Sequence, residues 1–474
     1  MRRFSLEPRK WYAMELISSE FGPNIRRFSP IQVYSVTPAG GGKRRLELSL
    51  YHAAYPAGVR DKLYTLQTIE RTEHFLLALV VGTERIALFM ELTDDWKMKH
   101  APETVTSTVQ SMPGPGSEAK LKDKYTASLL GGAIGDALGA AVEFMSRAEI
   151  LSRFGPAGIT DYAPAYGGKG KITDDTQMTL FTAEGLLRGR MRGVSKGIAG
   201  FDHTVANAYL RWLATQGYEC RAVTVEKDGW LFQQPELHSQ RAPGMTCLSA
   251  LRDYPGVPET AGNDSKGCGG VMRVAPVGLY WRTFNGNSGL ERVFEDGCMC
   301  AGLTHGHPSG YLTGGVLAVL IFELLNDQTL LNALGAAKTL LVAERGHEET
   351  LAALDKAVEL SQSGKPHSIA IQELGEGWVA EEALAISVYC ALVAESFEQG
   401  ILLAVNHDGD SDSTGAITGN ILGAMLGTGV IPQRWLEPLE LREVIEAIAS
   451  DLWTCQEWHS YMDDDGLWER YPGY

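Results

Sequence analysis

The sequence predicts a predominantly α-helical domain over residues 121–474, preceded by a small β-rich or α+β domain over residues 1–100. Three observations carry this expectation. Short runs of alternating apolar and polar residues crowd the N-terminal part, a stretch rich in Pro, Gly, Ser and Thr follows, and Ala- and Leu-rich segments with helical spacing fill the remainder.

The N-terminal runs are Ile31 to Thr37, Arg44 to Ala53, His74 to Gly82 and Arg85 to Leu92, with "PAGGGK" and "GTE" placed where hairpin turns belong. No cluster of acids, cysteines or histidines in this part suggests catalysis, so partner binding is the expected use of the domain. Residues 101–120 lack an apolar period and read as a linker. Beyond it, Leu121 to Phe144, Asp175 to Met191, Leu330 to Ser361 and Val379 to Ser396 have the three-to-four spacing of helices. Small residues in "GGAIGDALGAA" and "GAITGNILGAMLG" permit close helix crossings. No fixed-period repeat is visible, which weighs against a solenoid.

A chain of 474 residues with 44% hydrophobic and 21% charged residues has globular composition and room for two domains. Its net charge of −16 disfavours nucleic acid and anionic membrane as partners, and "GKRR" at 42–45 is the longest basic run. Seven irregularly spaced cysteines match neither a disulfide framework nor a paired zinc motif, and are expected as reduced thiols in a cytoplasmic protein. The N-terminus lacks a signal-peptide apolar core, and the apolar stretch Gly310 to Leu325, Gly-rich and broken by Glu323, reads as a buried helix.

Two acidic, hydroxyl-rich motifs carry the chemistry. "KITDDTQMTL" places Thr173, Asp174 and Asp175 at the start of an apolar periodic helix, and "NHDGDSDSTGA" places Asp408, Asp410 and Asp412 among Ser411, Ser413 and Thr414. Taken singly, each motif is also what a helix N-cap looks like. Taken together, they gather negative charge that calls for cations, and oxygen donors without nearby cysteine suit Mg²⁺, Mn²⁺ or Ca²⁺ rather than Zn²⁺. An EF-hand is excluded: counted from Asp408, the closing position is Gly419, and counted from Asp410 it is Ile421, where a bidentate Glu is required. The glycines of "GCGGVMR" allow backbone N–H groups to approach a ligand, or simply make a tight turn.

These motifs stand in a fixed order: "GAIGDALGAAVEF" at 132–144, "ITDDTQMTL" at 172–180, "GCGGVMRVAPVGL" at 267–279 with "THGHPSGYLTGG" at 304–315, and "DGDSDSTGAITGNILGA" at 408–424. In that order they resemble the ADP-ribosylglycohydrolase family, which includes ADP-ribosylarginine hydrolases and the dinitrogenase reductase-activating glycohydrolase. The resemblance implies an all-α fold with two Mg²⁺ ions, or Mn²⁺, in a cleft. By the same resemblance the metal ligands are Thr173, Asp174, Asp175, Asp410, Asp412 and Ser413. The family usually has Thr at the position of Ser413, so neighbouring Thr414 competes for that assignment, while Asp408 stands outside the ligand set. Catalytic roles fall to Glu143, Asp175 and Asp410, and Asp136 is implied to be a supporting acid. The ADP-ribose moiety falls to Ser265, Gly267, Cys268, Gly269, Met272 and His305.

The implied reaction is metal-assisted hydrolysis of the bond between ribose C1 and a protein side chain, arginine first, with serine and O-acetyl-ADP-ribose linkages left open. ADP-ribosylated protein is the implied substrate. An alternative of another class is an immunity protein that blocks an ADP-ribosyltransferase toxin through its N-terminal domain, alone or together with hydrolysis.

Overall fold

A computed structural model describes residues 11–17, 28–38, 43–50, 60–71, 75–80, 86–91 and 115–473, apart from 198–199, 285–288 and 460–465. The chain divides into two compact units, Met1–Met112 and Pro113–Tyr474.

In the first unit β1 (Trp11–Ile17), β2 (Phe28–Pro38), β3 (Lys43–Leu50), β4 (Arg60–Arg71), β5 (Phe75–Val80) and β6 (Ile86–Glu91) are described. Each pairs antiparallel with its sequence neighbour, and β1 also pairs with β6 in the register Met14↔Phe89, so the sheet closes into a barrel without a free edge. The turn segments 39–42 and 82–84 lie outside the described residues.

In the second unit the helix Pro115–Gly139 starts inside the stretch read as linker, of which 101–114 lie outside the described residues. A proline is tolerated in the first turn, where its missing N–H has no intrahelical partner, so the composition that suggested a linker also starts a helix. The periodic stretch Leu330 to Ser361 is not one helix but two, Leu330–Leu341 and Glu348–Gln362. Gly346 between them adopts φ 76°, a left-handed conformation that ends a continuous helix. The apolar helix Pro308–Leu325 is long and apolar enough to cross a membrane, but 83% of it is buried, with Val316 to Ile321 at the centre of the core.

Two helix pairs fix the site. Pro115–Gly139 crosses Ser411–Leu426 at backbone contact, because Gly131, Gly135 and Gly139 on the first face Gly419, Gly415 and the Asp412 backbone on the second. Asp174–Lys196 packs on Phe201–Thr215, where buried Glu184 accepts from Arg188 at 3.0 Å and Arg211 at 2.9 Å, and Gln177 accepts from the Trp212 indole at 3.1 Å. Those bonds hold the rotation of the helix whose first turn carries Asp174 and Asp175.

Candidate active site

The first acidic motif begins a helix as its sequence suggests. Thr173 caps Asp174–Lys196, its hydroxyl accepting from the Asp175 N–H at 3.3 Å. Asp136, fully buried on the neighbouring helix, accepts from the backbone N–H groups of Thr173 at 2.9 Å and Thr176 at 3.1 Å. A carboxylate one helix away thus compensates the positive end of this one and ties motif 132–144 to motif 172–180. From the other side Arg241 donates to the Ile172 carbonyl at 2.9 Å and pairs with Glu440 at 3.0 Å, which also accepts from Lys171 at 2.7 Å.

The second acidic motif likewise opens a helix. Asp410 caps Ser411–Leu426, accepting from the Ser413 N–H at 3.3 Å, and its own N–H donates to the Glu376 carbonyl at 2.8 Å. The cap reading and the site reading of these motifs therefore hold together, since both helix starts point into one cluster. Asp412, which accepts from the Ser413 N–H at 3.0 Å, is its electrostatic hub, since its charge acts on Glu143, Asp174, Asp175 and Asp410 alike. Asp174, Asp175, Asp410, Asp412 and Glu143 are all buried. Burial, and after it the charge of Asp412, raises the pKa values of Asp174, Asp175, Asp410 and Glu143 well above the ordinary carboxylate range. Asp136, pushed up to about 7, has the same two causes in the same order.

Glu143 lies on a turn just past its helix, its N–H donating to the Gly139 carbonyl at 2.9 Å. Ser413 directs its hydroxyl toward the Cys268 and Met272 sulfurs, each at 3.7 Å, on the cluster side. Thr414 points elsewhere, donating to the Ala404 and Asp410 carbonyls at 2.8 Å beside His407, so of the two competing hydroxyls only that of Ser413 shares the site. Asp408 accepts from the Arg147 N–H at 2.9 Å and so shapes the loop before the cluster.

The glycine segment forms a 3-10 turn, Cys268–Arg273, rather than an open loop. Its approach to the cluster runs through Cys268, whose thiol donates to Asp410 at 2.7 Å while its N–H is already bonded to the Trp378 carbonyl at 3.2 Å. Burial and then the Asp410 charge raise the pKa of the thiol, keeping the sulfur protonated and unsuited to nucleophilic attack. Ser265 accepts from the Gly267 N–H at 3.4 Å and lies 3.1 Å from the Thr246 hydroxyl. His305 is buried beneath Gly267 and Gly269, with Nδ1 at 2.8 Å from the Thr304 hydroxyl. The structure therefore gathers Glu143, Thr173, Asp174, Asp175, Cys268, Met272, Asp410, Asp412 and Ser413, and sets Ser265, Gly267, Gly269 and His305 in the wall behind them.

Three aromatic residues near the cluster went unread in the sequence. Tyr166 occupies φ 48° in a tight turn closed by the Ala165 and Gly168 backbones at 2.9 and 3.0 Å. Burial and then Glu143 dominate its environment, so the ring stands beside the cluster at a position where Asn is the ordinary choice. "YGG" before an acidic motif was the available signal. Phe144 and Trp378 form an exposed stacked pair, and isolated aromatics in sequence give no such signal.

Whether cations suit these residues can be judged from the donors themselves. Among the described residues no three His, Cys, Asp or Glu side chains already surround a common point as ligands. Yet Asp175 Oδ1 and Glu143 Oε2 are buried without partners, and no described Lys or Arg pairs with Asp174, Asp175, Asp410 or Asp412. Oxygen donors of one sign, desolvated and uncompensated, fit hard divalent cations.

In this helical unit, two helix starts from distant parts of the chain converge as buried acids. The ADP-ribosylglycohydrolase family profile matches residues 117–460, and the chain belongs to that family. It is 26% identical over 345 residues to the ADP-ribosylarginine hydrolase Tri1 of Serratia proteamaculans, covering 71% of this chain and 80% of that protein. It is 27% identical over 341 residues to the ADP-ribosyl-[dinitrogen reductase] glycohydrolase of Rhodospirillum rubrum, covering 70% and 94%. A solved structure titled ADP-ribosylglycohydrolase-related protein complex superposes with a TM-score of 0.52 at 28% identity, covering 71% of this chain and 99% of that one. The protein is accordingly a glycohydrolase of ADP-ribosyl groups.

Proposed function

We propose that the protein hydrolyses the N-glycosidic bond of ADP-ribosylarginine in modified proteins, with Mg²⁺ or Mn²⁺ held by Thr173, Asp174, Asp175, Asp410, Asp412 and Ser413. The observation that carries this reading is the uncompensated buried carboxylate cluster around Asp412. The names of two relatives, an ADP-ribosylarginine hydrolase and an ADP-ribosyl-[dinitrogen reductase] glycohydrolase, direct it to protein-linked ADP-ribose.

Bound divalent ions there would supply positive charge that orients ribose hydroxyls and acidifies a water. The chain's own residues do the rest. Glu143 holds a proton on a carboxyl raised by burial and by Asp412, and its partnerless Oε2 leaves an atom free to exchange it with the reacting groups. Asp175 and Asp410, at the starts of two helices, hold the acceptor oxygens in place. Arginine's guanidinium leaves as a charged, delocalised group, so positioning weighs more than strong acid assistance.

Incubation with proteins carrying ADP-ribose on arginine or on serine, with Mg²⁺ or with chelator, tests the reading. Release from arginine only, and only with the cation, is expected. Release from serine alone would overturn the linkage, and undiminished release in chelator would overturn the metal assignment.

A further inference from the structure

Beside the acid cluster runs an open groove of about 790 Å³, and Glu143 is common to both. Its features are unusual together. Phe144 is 73% exposed and Trp378 39% exposed, yet their rings stack on each other at 5.9 Å between centroids and 18° between planes. Large aromatic surface left in water is costly, and here it is concentrated next to the site instead of scattered. The backbone beneath is firmly fixed: the Trp378 carbonyl accepts from Cys268, and the Glu382 carboxylate accepts from the Glu376 and Gly377 N–H groups at 3.0 and 3.2 Å. The charge is one-sided, with Glu376, Glu382 and Asp408 lining the groove against Arg147, beside the protonated Glu143.

We propose that this groove, with Phe144 and Trp378 as its aromatic wall, receives the arginine-bearing basic segment of the modified protein and makes the enzyme selective for a guanidinium over neutral side chains. The groove adjoins the cluster at Glu143, so a side chain bonded to a ribose C1 that reacts at the cluster can lie in it. A planar cation stacks on aromatic faces and gains from surrounding carboxylates. The ADP half, with its diphosphate charge, gains nothing from three carboxylates, so the nucleotide is the disfavoured occupant. The assignment to the leaving side chain rests on the proposed hydrolysis of ADP-ribosylarginine, whereas preference for a guanidinium peptide is testable without turnover.

The full chain and its Phe144→Ala, Trp378→Ala and Trp378→Phe variants would be titrated with a blocked basic pentapeptide containing one arginine, and with the same peptide carrying neutral citrulline there. Both side chains are exposed, and melting curves confirm that the variants fold. The expected result is tighter binding of the arginine peptide by about threefold to tenfold, a preference lost in both alanine variants and kept in Trp378→Phe. With the ADP-ribosylated peptide, KM should rise by a similar factor in the alanine variants with little change in kcat, while affinity for free ADP-ribose stays constant. Equal binding of the two peptides, or a preference unchanged in the alanine variants, would overturn the proposal. A parallel loss of ADP-ribose affinity would reassign the pair to the nucleotide. Failure of the wild-type protein to release ADP-ribose from the arginine linkage would sink the function reading alone, because the peptide titration still decides what the groove prefers.

Discussion

Gly135 and Gly415 meet backbone to backbone: a Cβ on Gly135 would lie 2.0 Å from the Gly415 carbonyl oxygen. That contact sets the distance between the helix Pro115–Gly139, just past which Glu143 lies, and the helix that begins with the Asp410 and Asp412 motif.

Gly135→Ala should therefore act on stability and site together. The backbone opposite cannot yield like a flexible side chain, so a loss of about 3 kcal/mol is expected. ADP-ribose release should fall even in the fraction that folds. Denaturant unfolding and turnover per folded molecule check this, and wild-type values for both would show the crossing to be tolerant.

Asp410→Ala should abolish ADP-ribose release with the fold retained. Asp412→Asn should do the same and, in chelator, leave the protein at least as stable as wild type, because the charge that raises its neighbours' pKa values is gone. Thermal unfolding in chelator is the deciding measurement, and a clear loss of stability in Asp412→Asn would mean that its hydrogen bonds outweigh repulsion.

Cation binding should raise the melting temperature, more at pH 8 than at pH 5.5. With Asp174, Asp175 and Asp410 raised in the folded state, the native protein binds more protons than the unfolded chain above the ordinary carboxylate range. Cation-free stability then falls as pH rises, and the ions remove that loss. At a concentration about 100 times Kd the gain is about 2.7 kcal/mol. A melting temperature that ignores Mg²⁺ and Mn²⁺ at both pH values would argue against the site.

His305 should make an opposite contribution. Burial, and after it Arg273, lowers its value from 6.5 to about 3, so below pH 6.5 the unfolded chain takes a proton that the native state refuses. Its share of stability is complete above pH 6.5 and is lost as pH falls toward 3, approaching about 1.4 kcal/mol per pH unit within that window. Unfolding of His305→Asn between pH 6.5 and 5 should show a shallower slope, and an unchanged slope would exclude His305 as the source.

Tyr166→Asn should stabilise the turn while lowering activity. Asn accepts the left-handed conformation that costs a bulky residue of order 1–3 kcal/mol, and the ring beside Glu143 is lost. Raised stability with full activity would show that the strained ring has no part in the reaction.

Much of this was legible locally. The spacing of apolar residues announced the helices at Asp174 and Ser411, and the residue types named the acids. Leu330 to Ser361 is helical as its spacing suggests, but the break between its two helices was not legible, because the left-handed turn at Gly346 leaves no trace in an apolar pattern. The start of the first helix was hidden because Pro and Gly serve linkers and first turns alike.

By itself the sequence determined which groups are available: the carboxylates and hydroxyls of two helix starts, the small residues that let helices touch, and the order of motifs that marks the family. Only the tertiary structure decided how they are used. It made Asp412 the hub, turned Ser413 inward and Thr414 away, spent Asp136 on a helix terminus, and left Phe144 and Trp378 exposed beside the cluster. The physical reason is range. Helix propensity and capping act over a few neighbouring residues, whereas desolvation and repulsion among Asp174, Asp410 and Asp412 exist only once the crossing at Gly135 and Gly415 removes the water between them.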